Sequence, residues 1–169
     1  MLIRPETPED FAVLYAFVQA AFSTARVSNG EEQDFVDILR EGVNYIPDLA
    51  LLAEEGGRIA AHIMFTRTYL SMREGRFEAL LLAPVTVRED LRNRGRGSAL
   101  VREGLKRAAA MGFEAVFLVG DPDYYSRLGF RPVTGFGIRH NEDIPERYVM
   151  ALELKPGALA GLDAWVDII

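Results

Sequence analysis

Arg92-Asn93-Arg94-Gly95-Arg96-Gly97-Ser98 lies directly after an apolar run, Ala79 to Val87, and directly before a helical pattern. In that pattern Leu100, Val101, Gly104, Leu105, Ala108 and Ala109 recur at helical spacing. The succession reads as a strand feeding a glycine-rich turn that opens a helix. The first amides of a helix have no partner inside it, and the aligned peptide dipoles leave partial positive charge there, so an anion is favoured. Gly95 and Gly97 carry no Cβ, which lets an anion approach the backbone to hydrogen-bonding distance. Arginines at 92, 94 and 96 add planar forks that suit phosphate oxygens. The stretch reads as a cradle for a phosphorylated ligand, with a solvated basic turn capping a helix as the bland alternative.

Composition bounds what surrounds that cradle. A chain of 169 residues fits one domain, 1–169, with a sizeable core. Apolar residues make up 49% and charged residues 26%, an ordinary balance for a water-soluble fold. The net charge of −6 argues against a nucleic-acid partner, because the basic residues near the loop form a local patch in an acidic protein. There is no cysteine, so a disulfide framework, a thiolate metal site and an acyl-cysteine intermediate are all excluded. Met1-Leu2-Ile3-Arg4-Pro5-Glu6 lacks the apolar core of a signal peptide, and no run approaches the length that crosses a bilayer. The expectation is a cytoplasmic protein with no metal and no membrane partner.

Outward from the loop, the chain alternates strand and helix signals. Leu2-Ile3-Arg4 is a strand candidate stopped by Pro5. Thr7-Pro8-Glu9-Asp10 has the cap residue, the proline and the acidic third position of a helix start. Phe11, Leu14, Tyr15, Val18 and Phe22 then share an apolar face. Residues 23 to 30 read as a loop, and a second helix opens at Gly30-Glu31-Glu32 with Phe35, Ile38 and Leu39 inward. Tyr45-Ile46-Pro47-Asp48 reads as a turn. Leu49 to Glu54, a Gly-Gly hairpin at Glu55 to Arg58, and Ile59 to Tyr69 make an antiparallel pair. After a turn at Arg73 to Arg76, Phe77 to Val87 follows with Leu80-Leu81-Leu82-Ala83 apolar at successive positions, as in a strand covered on both faces. Pro84 inside it marks a bulge or a parting of neighbours, since proline donates nothing to a ladder. The loop helix runs to about Met111 and stops at Gly112. Ala115 to Val119 is a buried strand reached by a right-handed crossover. Phe136 to His140 and Arg147 to Leu154 read as closing antiparallel strands, and residues 155 to 169 as a tail.

Neither Gly-x-Gly-x-x-Gly nor a Gly-Lys-Ser/Thr loop is present. Instead, Arg92-x-x-Gly95-x-Gly97 after Val85-Thr86-Val87 resembles the acyl-CoA pyrophosphate signature of the GCN5-related N-acetyltransferases, the GNAT family. Tyr125-Ser126-Arg127-Leu128-Gly129-Phe130 matches the Tyr-x-x-x-Gly-Phe end of the short helix that follows the fifth strand in that family. Val119-Gly120-Asp121 through Phe130, with Met150 to Leu159, is similar to its bacterial YhbS-like branch. The resemblance implies a mixed α+β fold: one domain with a central, mostly antiparallel sheet whose fourth and fifth strands are parallel, flanked by helices. It also implies acetyl-CoA as cosubstrate. In the family the fourth strand bulges and splays from the fifth, leaving backbone groups for the pantetheine arm. Val85, Thr86 and Val87 stand where those groups would be, and Arg92, Asn93, Arg94, Gly95, Arg96, Gly97 and Ser98 where the pyrophosphate binds. Arg88 and Arg102 are further candidates for the phosphates of CoA.

Acyl transfer from a thioester to an amine needs an unprotonated amine, a stabilised oxyanion and a proton for the leaving thiolate. Tyr125, by its place in the motif, is the candidate general acid, and an amide near Val85 the candidate oxyanion donor. The alternative for Tyr125 is a core aromatic at the helix–strand junction. Candidates for the general base are Glu78, Glu114, Asp121 and His62, or water; Asp121 doubles as a helix cap and His62 as an interior histidine. The acceptor, a primary amine of a small molecule or a protein, would meet residues 23 to 46, 70 to 76 and Thr134 to Glu146, where Asp37, Glu41, Glu142 and Asp143 could attract a cation. Two other readings stay open: a non-catalytic acyl-CoA-binding or regulatory module, and a small nucleotide-binding protein. The apolar Trp165-Val166-Asp167-Ile168-Ile169 suggests packing onto the domain or a homodimer partner.

Overall fold

A two-residue hairpin of type I′ needs both central residues at positive φ, and Gly56 and Gly57 supply it at +61° and +75°. They join β2 (Tyr45–Glu55) to β3 (Arg58–Met72). The computed structural model describes residues 1–25, 28–141 and 143–167. These form two compact units, Met1–Thr66 with Ala83–Gly104, and Arg67–Leu82 with Leu105–Ile169.

In the first unit β1 (Leu2–Pro5) pairs antiparallel with β2, Ile3 opposite Ala53, and β2 pairs with β3, Leu52 opposite His62. A single 3-10 turn, Pro8–Asp10, leads into α1 (Phe11–Phe22). Its start is built as the sequence reads: the Thr7 amide donates to the Asp10 carboxylate at 2.7 Å while the Asp10 amide donates to the Thr7 carbonyl at 2.8 Å. With α2 (Glu32–Glu41), α1 covers a cluster of Val18, Val36, Ala50 and Met64. Residues 96–104 of α3 (Arg96–Ala110) lie close on β3, since a Cβ on Gly104 would stand 2.4 Å from the Phe65 ring and 3.0 Å from Ile63.

Two expectations change here. The strand β2 begins at Tyr45, where a turn was expected. Tyr45 pairs with Thr66 and Ala50 with Met64, so the register slips between them. Pro47 sits in the slipped stretch, where a missing donor costs no ladder bond. Ile38, expected inward, is 66% exposed. Leu39 does pack against the cluster as expected, and the rest of the inner face of α2 is Gln33, Val36 and the guanidinium of Arg40, which is 5% exposed because Glu6 draws it in.

Glu6 is the centre of a buried polar knot. Its Oε2 accepts from Arg40 Nε and the Tyr45 hydroxyl, each at 2.7 Å, and its Oε1 meets His62 Nε2 at 2.7 Å and Arg40 Nη2 at 3.0 Å. Burial alone would raise the carboxyl, but hydrogen bonds from His62, Arg40 and Tyr45 outweigh it and bring it down to about 2.

In the second unit β4 (Arg76–Val87, continuing into the first) pairs parallel with β5 (Ala115–Val119), Leu80 opposite Val116 and Leu81 opposite Phe117. The order here is β4-β5-β8-β6, with β8 (Val149–Glu153) antiparallel to β5 and to the short β6 (Arg131–Pro132). The sheet is therefore mixed, with the parallel fourth and fifth strands expected of it. Leu70, Ala79, Phe117, Val133, Ala151, Leu159 and Val166 are among its fully buried core residues.

The closing segments differ from expectation. Residues 133–136 form a 3-10 turn, leaving β7 only Arg139–His140. β7 pairs parallel, not antiparallel, with β9 (Ala164–Val166). The supposed tail thus supplies a strand paired with both β3 and β7, Trp165 opposite Ser71 of β3, because alternate residues Ala164 and Val166 have an apolar cluster to fill. Glu142, Ile168 and Ile169 lie outside the described residues. Among the described residues no helix is long and apolar enough to cross a membrane.

The Glu6 knot makes stability pH-dependent with a defined sign. A carboxyl held near 2 against an ordinary 4.5 contributes stability that is complete above about pH 4.5 and is lost as pH falls towards 2. Replacing Glu6 by Gln leaves the buried Arg40 charge with only the half-exposed Asp37 carboxylate and should cost about 3–5 kcal/mol. Urea unfolding should therefore give a large drop in midpoint for E6Q at neutral pH, and an acid-side decline that is steep in the parent and shallow in the variant.

Candidate active site

The loop between β4 and α3 carries its geometry in the backbone. A 3-10 turn, Glu89–Leu91, follows β4, and α3 then starts at Arg96. Between them Asn93 and Gly95 take φ of +62° and +81°. Asparagine is among the few side chains that tolerate the left-handed region, and glycine has no penalty there. Alternation of left-handed with ordinary residues curls successive amides towards one side, the concavity that receives anions. Asn93, Arg94 and Gly95 are exposed and Gly97 is buried, so the rim faces solvent while the floor packs.

The arginines of this stretch divide their work. Arg96 forks onto Glu55 at the β2–β3 hairpin, with Nε–Oε2 at 3.0 Å and Nη2–Oε1 at 2.8 Å, and it holds that carboxyl below the usual carboxylate range. Arg92 donates through Nη2 to the Ala21 carbonyl in the last turn of α1, where a cation is favoured by the helix dipole. Arg88 is paired with Asp90 at 2.7 Å. Arg94 and Arg102 point into solvent. The residues expected as phosphate contacts are thus in part braces: Arg92 and Arg96 tie the loop to α1 and to the hairpin. Upstream, Val85 and Val87 are half-buried and Thr86 is 1% exposed.

In the second unit Tyr125 ends the short helix α4 (Pro122–Tyr125). Asp121 caps that helix by accepting from the Asp123 amide at 2.9 Å, the structural role the sequence allowed for it. The Tyr125 ring stands edge-on to Tyr124 at 4.8 Å and to Phe130 at 5.8 Å between centroids. Gly129, at φ +97°, turns the chain so that the Phe130 amide returns to the Tyr125 carbonyl at 3.1 Å. Burial first, then the nearby Tyr124 and Asp121, push the Tyr125 phenol above its ordinary range. At neutral pH it is therefore a proton donor and not a base.

Of the other candidate bases, Glu78 is exposed and 4.0 Å from Arg67, and Glu114 lies 3.3 Å from Lys155. His62 is fully buried on Glu6. Asp37 pairs with Arg40 at 3.0 Å, and Thr134 donates to Glu146 at 2.6 Å. No group of three or more His, Cys, Asp or Glu among the described residues could hold a metal ion.

Two site residues escaped the sequence reading. Glu55 looked like an ordinary hairpin position. Gly120 looked like a strand end, yet its missing Cβ is where the Tyr125 ring rests: a methyl there would stand 2.4 Å from Cε2 and 2.8 Å from Cδ2. Gly120→Ala must push that ring off Tyr124 and Phe130, at a cost of about 1–3 kcal/mol. Thermal unfolding of this variant should show the loss as a lower midpoint, with the near-ultraviolet tyrosine signal altered.

Residues 2–133 match the family described as acetyltransferase (GNAT) domain. The uncharacterised N-acetyltransferase YjhQ of Escherichia coli (strain K12) is 33% identical over 137 residues, covering 78% of this chain and 76% of YjhQ. The crystal structure of the GNAT family N-acetyltransferase YhbS from Escherichia coli, in complex with CoA, matches with a TM-score of 0.86 at 27% identity, over 99% of this chain and 89% of that one. That of a GNAT family acetyltransferase from Brucella melitensis, in complex with acetyl-CoA, matches with 0.74 at 30% identity, over 92% and 88%. A left-handed, arginine-braced loop opening α3, a parallel β4–β5 pair and these matches lead to one conclusion: the chain belongs to the GNAT acetyltransferase family.

Proposed function

We propose that the chain moves the acetyl group of acetyl-CoA directly to a primary amine of a small molecule or a protein, in a ternary complex, and that residues 1–169 act as one acyl-CoA-binding domain. The observation that carries this is the Asn93–Ser98 loop, whose two left-handed residues present amides at the opening of α3. The diphosphate of CoA takes those amides, with Arg94 free to add charge from the rim. The pantetheine arm runs along the backbone of Val85, Thr86 and Val87. Pairing of β4 with β5 at Leu80 and Leu81, ahead of Pro84, favours that course.

The amine lone pair attacks the thioester carbonyl carbon, and the oxygen takes the negative charge against an amide near Val85. Collapse of the intermediate breaks the C–S bond, and the thiolate takes its proton from Tyr125. The surplus amine proton leaves through water, with Glu78, Glu114 and Asp121 as acceptors within the second unit. The phenolate then recovers its proton from solvent. Absence of cysteine from the sequence is in keeping with direct transfer, with no acyl-cysteine between donor and acceptor. The same reading places the enzyme in the cytoplasm and allows a homodimer.

Calorimetry should detect acetyl-CoA and neither ATP nor NAD. Tyr125→Phe should lower turnover on an amine identified by thiol-release screening by roughly 10²- to 10⁴-fold, with acetyl-CoA affinity nearly unchanged. Acetyl-CoA binding without thiol release for any amine would favour a binding module, and unchanged turnover in Y125F would remove Tyr125 as the acid.

A further inference from the structure

Two buried side-chain atoms in the first unit have no hydrogen-bond partner, His62 Nδ1 and Thr86 Oγ1. They sit on adjacent strands, β3 and β4. The Arg88 amide donates to the Ala60 carbonyl at 2.9 Å, and β3 and β4 are adjacent strands joined by a tight turn. Extending that antiparallel pairing by two residues sets Thr86 opposite His62, and residues that face each other across a pair project to the same side of the sheet. Their side chains are 0% and 1% exposed.

The chemistry of the two atoms is complementary. Glu6 is ionised and can only accept, so His62 Nε2, at 2.7 Å from it, carries the ring hydrogen. The tautomer with its hydrogen on Nε2 leaves a lone pair on Nδ1. Thr86 has a hydroxyl proton to give and two lone pairs. Packing alone does not call for that hydroxyl, since valine has the same shape and suits a strand equally well. An acceptor and a donor on facing strand positions, both buried and neither partnered, form the kind of polar pair that one internal water bridges.

We propose that His62 is a positioning residue for the β4 segment Val85–Val87, acting through one internal water shared by its Nδ1 and the Thr86 hydroxyl. The water donates one hydrogen to Nδ1 and accepts the Thr86 proton. Glu6 fixes the ring, the ring fixes the water, and the water fixes Thr86, whose flanking residues carry the backbone groups assigned to the acyl-CoA arm. This role rests on the acyl-CoA reading given above; the water itself does not.

The test uses the full chain and the variants Thr86→Val and Thr86→Ser. A high-resolution crystal structure of the parent should show a water within hydrogen-bonding distance of both atoms, and the valine variant should lack it. Nitrogen-15 NMR of the His62 ring should report Nδ1 as a hydrogen-bond acceptor in the parent and change in the valine variant. KM for acetyl-CoA should rise roughly tenfold in T86V, the worth of about one hydrogen bond, at nearly constant kcat, and T86S should restore it. No water in the parent overturns the proposal, as does an unmoved KM in T86V or an equal loss in T86S. If the water is present but the parent fails to bind acetyl-CoA in calorimetry, the acyl-CoA reading falls and takes the positioning role with it. If acetyl-CoA binds and KM does not move, only the positioning role falls.

Discussion

Amides can serve an anion only if the chain curls them to one side and no helical carbonyl claims them, and the site proposed at residues 93 to 98 depends on that constraint. Left-handed Asn93 and Gly95 bend the loop where it opens α3. Such a bend is strained unless something holds it. Here the holding is electrostatic: Arg96 locks onto Glu55 of the hairpin, and Arg92 onto the C-terminal end of α1. An arginine-rich loop can thus have some of its cations turned inward as braces rather than held out towards a ligand.

The first unit has a second organising centre in the Glu6 carboxylate. One side chain just after β1 gathers Arg40 of α2, Tyr45 at the start of β2 and His62 of β3. Burying so many polar groups is tolerable only because nearly all are satisfied, and breaking one partner exposes the others to the full cost of burial. The knot explains why α2 turns an arginine rather than an isoleucine inward. It also links the two unpartnered atoms at His62 and Thr86 to the strand on which the loop is mounted.

Strands β1 to β5, the three longer helices and the loop were legible because they rest on local rules: alternation, caps, Gly-Gly at a hairpin, glycine where the chain turns left. The motif around Tyr125 was legible because its glycine, at 129, is needed by the turn that returns Phe130. What was not legible depends on distant partners. Nothing near Arg40 in the sequence announces Glu6, and without Glu6 the apolar Ile38 is the natural choice for the inner face. Pro47 signals a turn unless the register slip around it is known. Two- and three-residue strands such as β7 and β9 have too little pattern to read and exist because β3 offers an edge to pair with. Likewise the sequence shows that arginines cluster at the loop, but not that Glu55 and Ala21 claim two of them.

The central claim is that the backbone between Asn93 and Ser98 holds the diphosphate of CoA. Amide-resolved NMR during a CoA titration tests it most directly. The account requires the amides of residues 93 to 98 to shift together and saturably, as a group, ahead of or alongside Val85 to Val87. Saturable CoA binding that leaves those amides in place would contradict it.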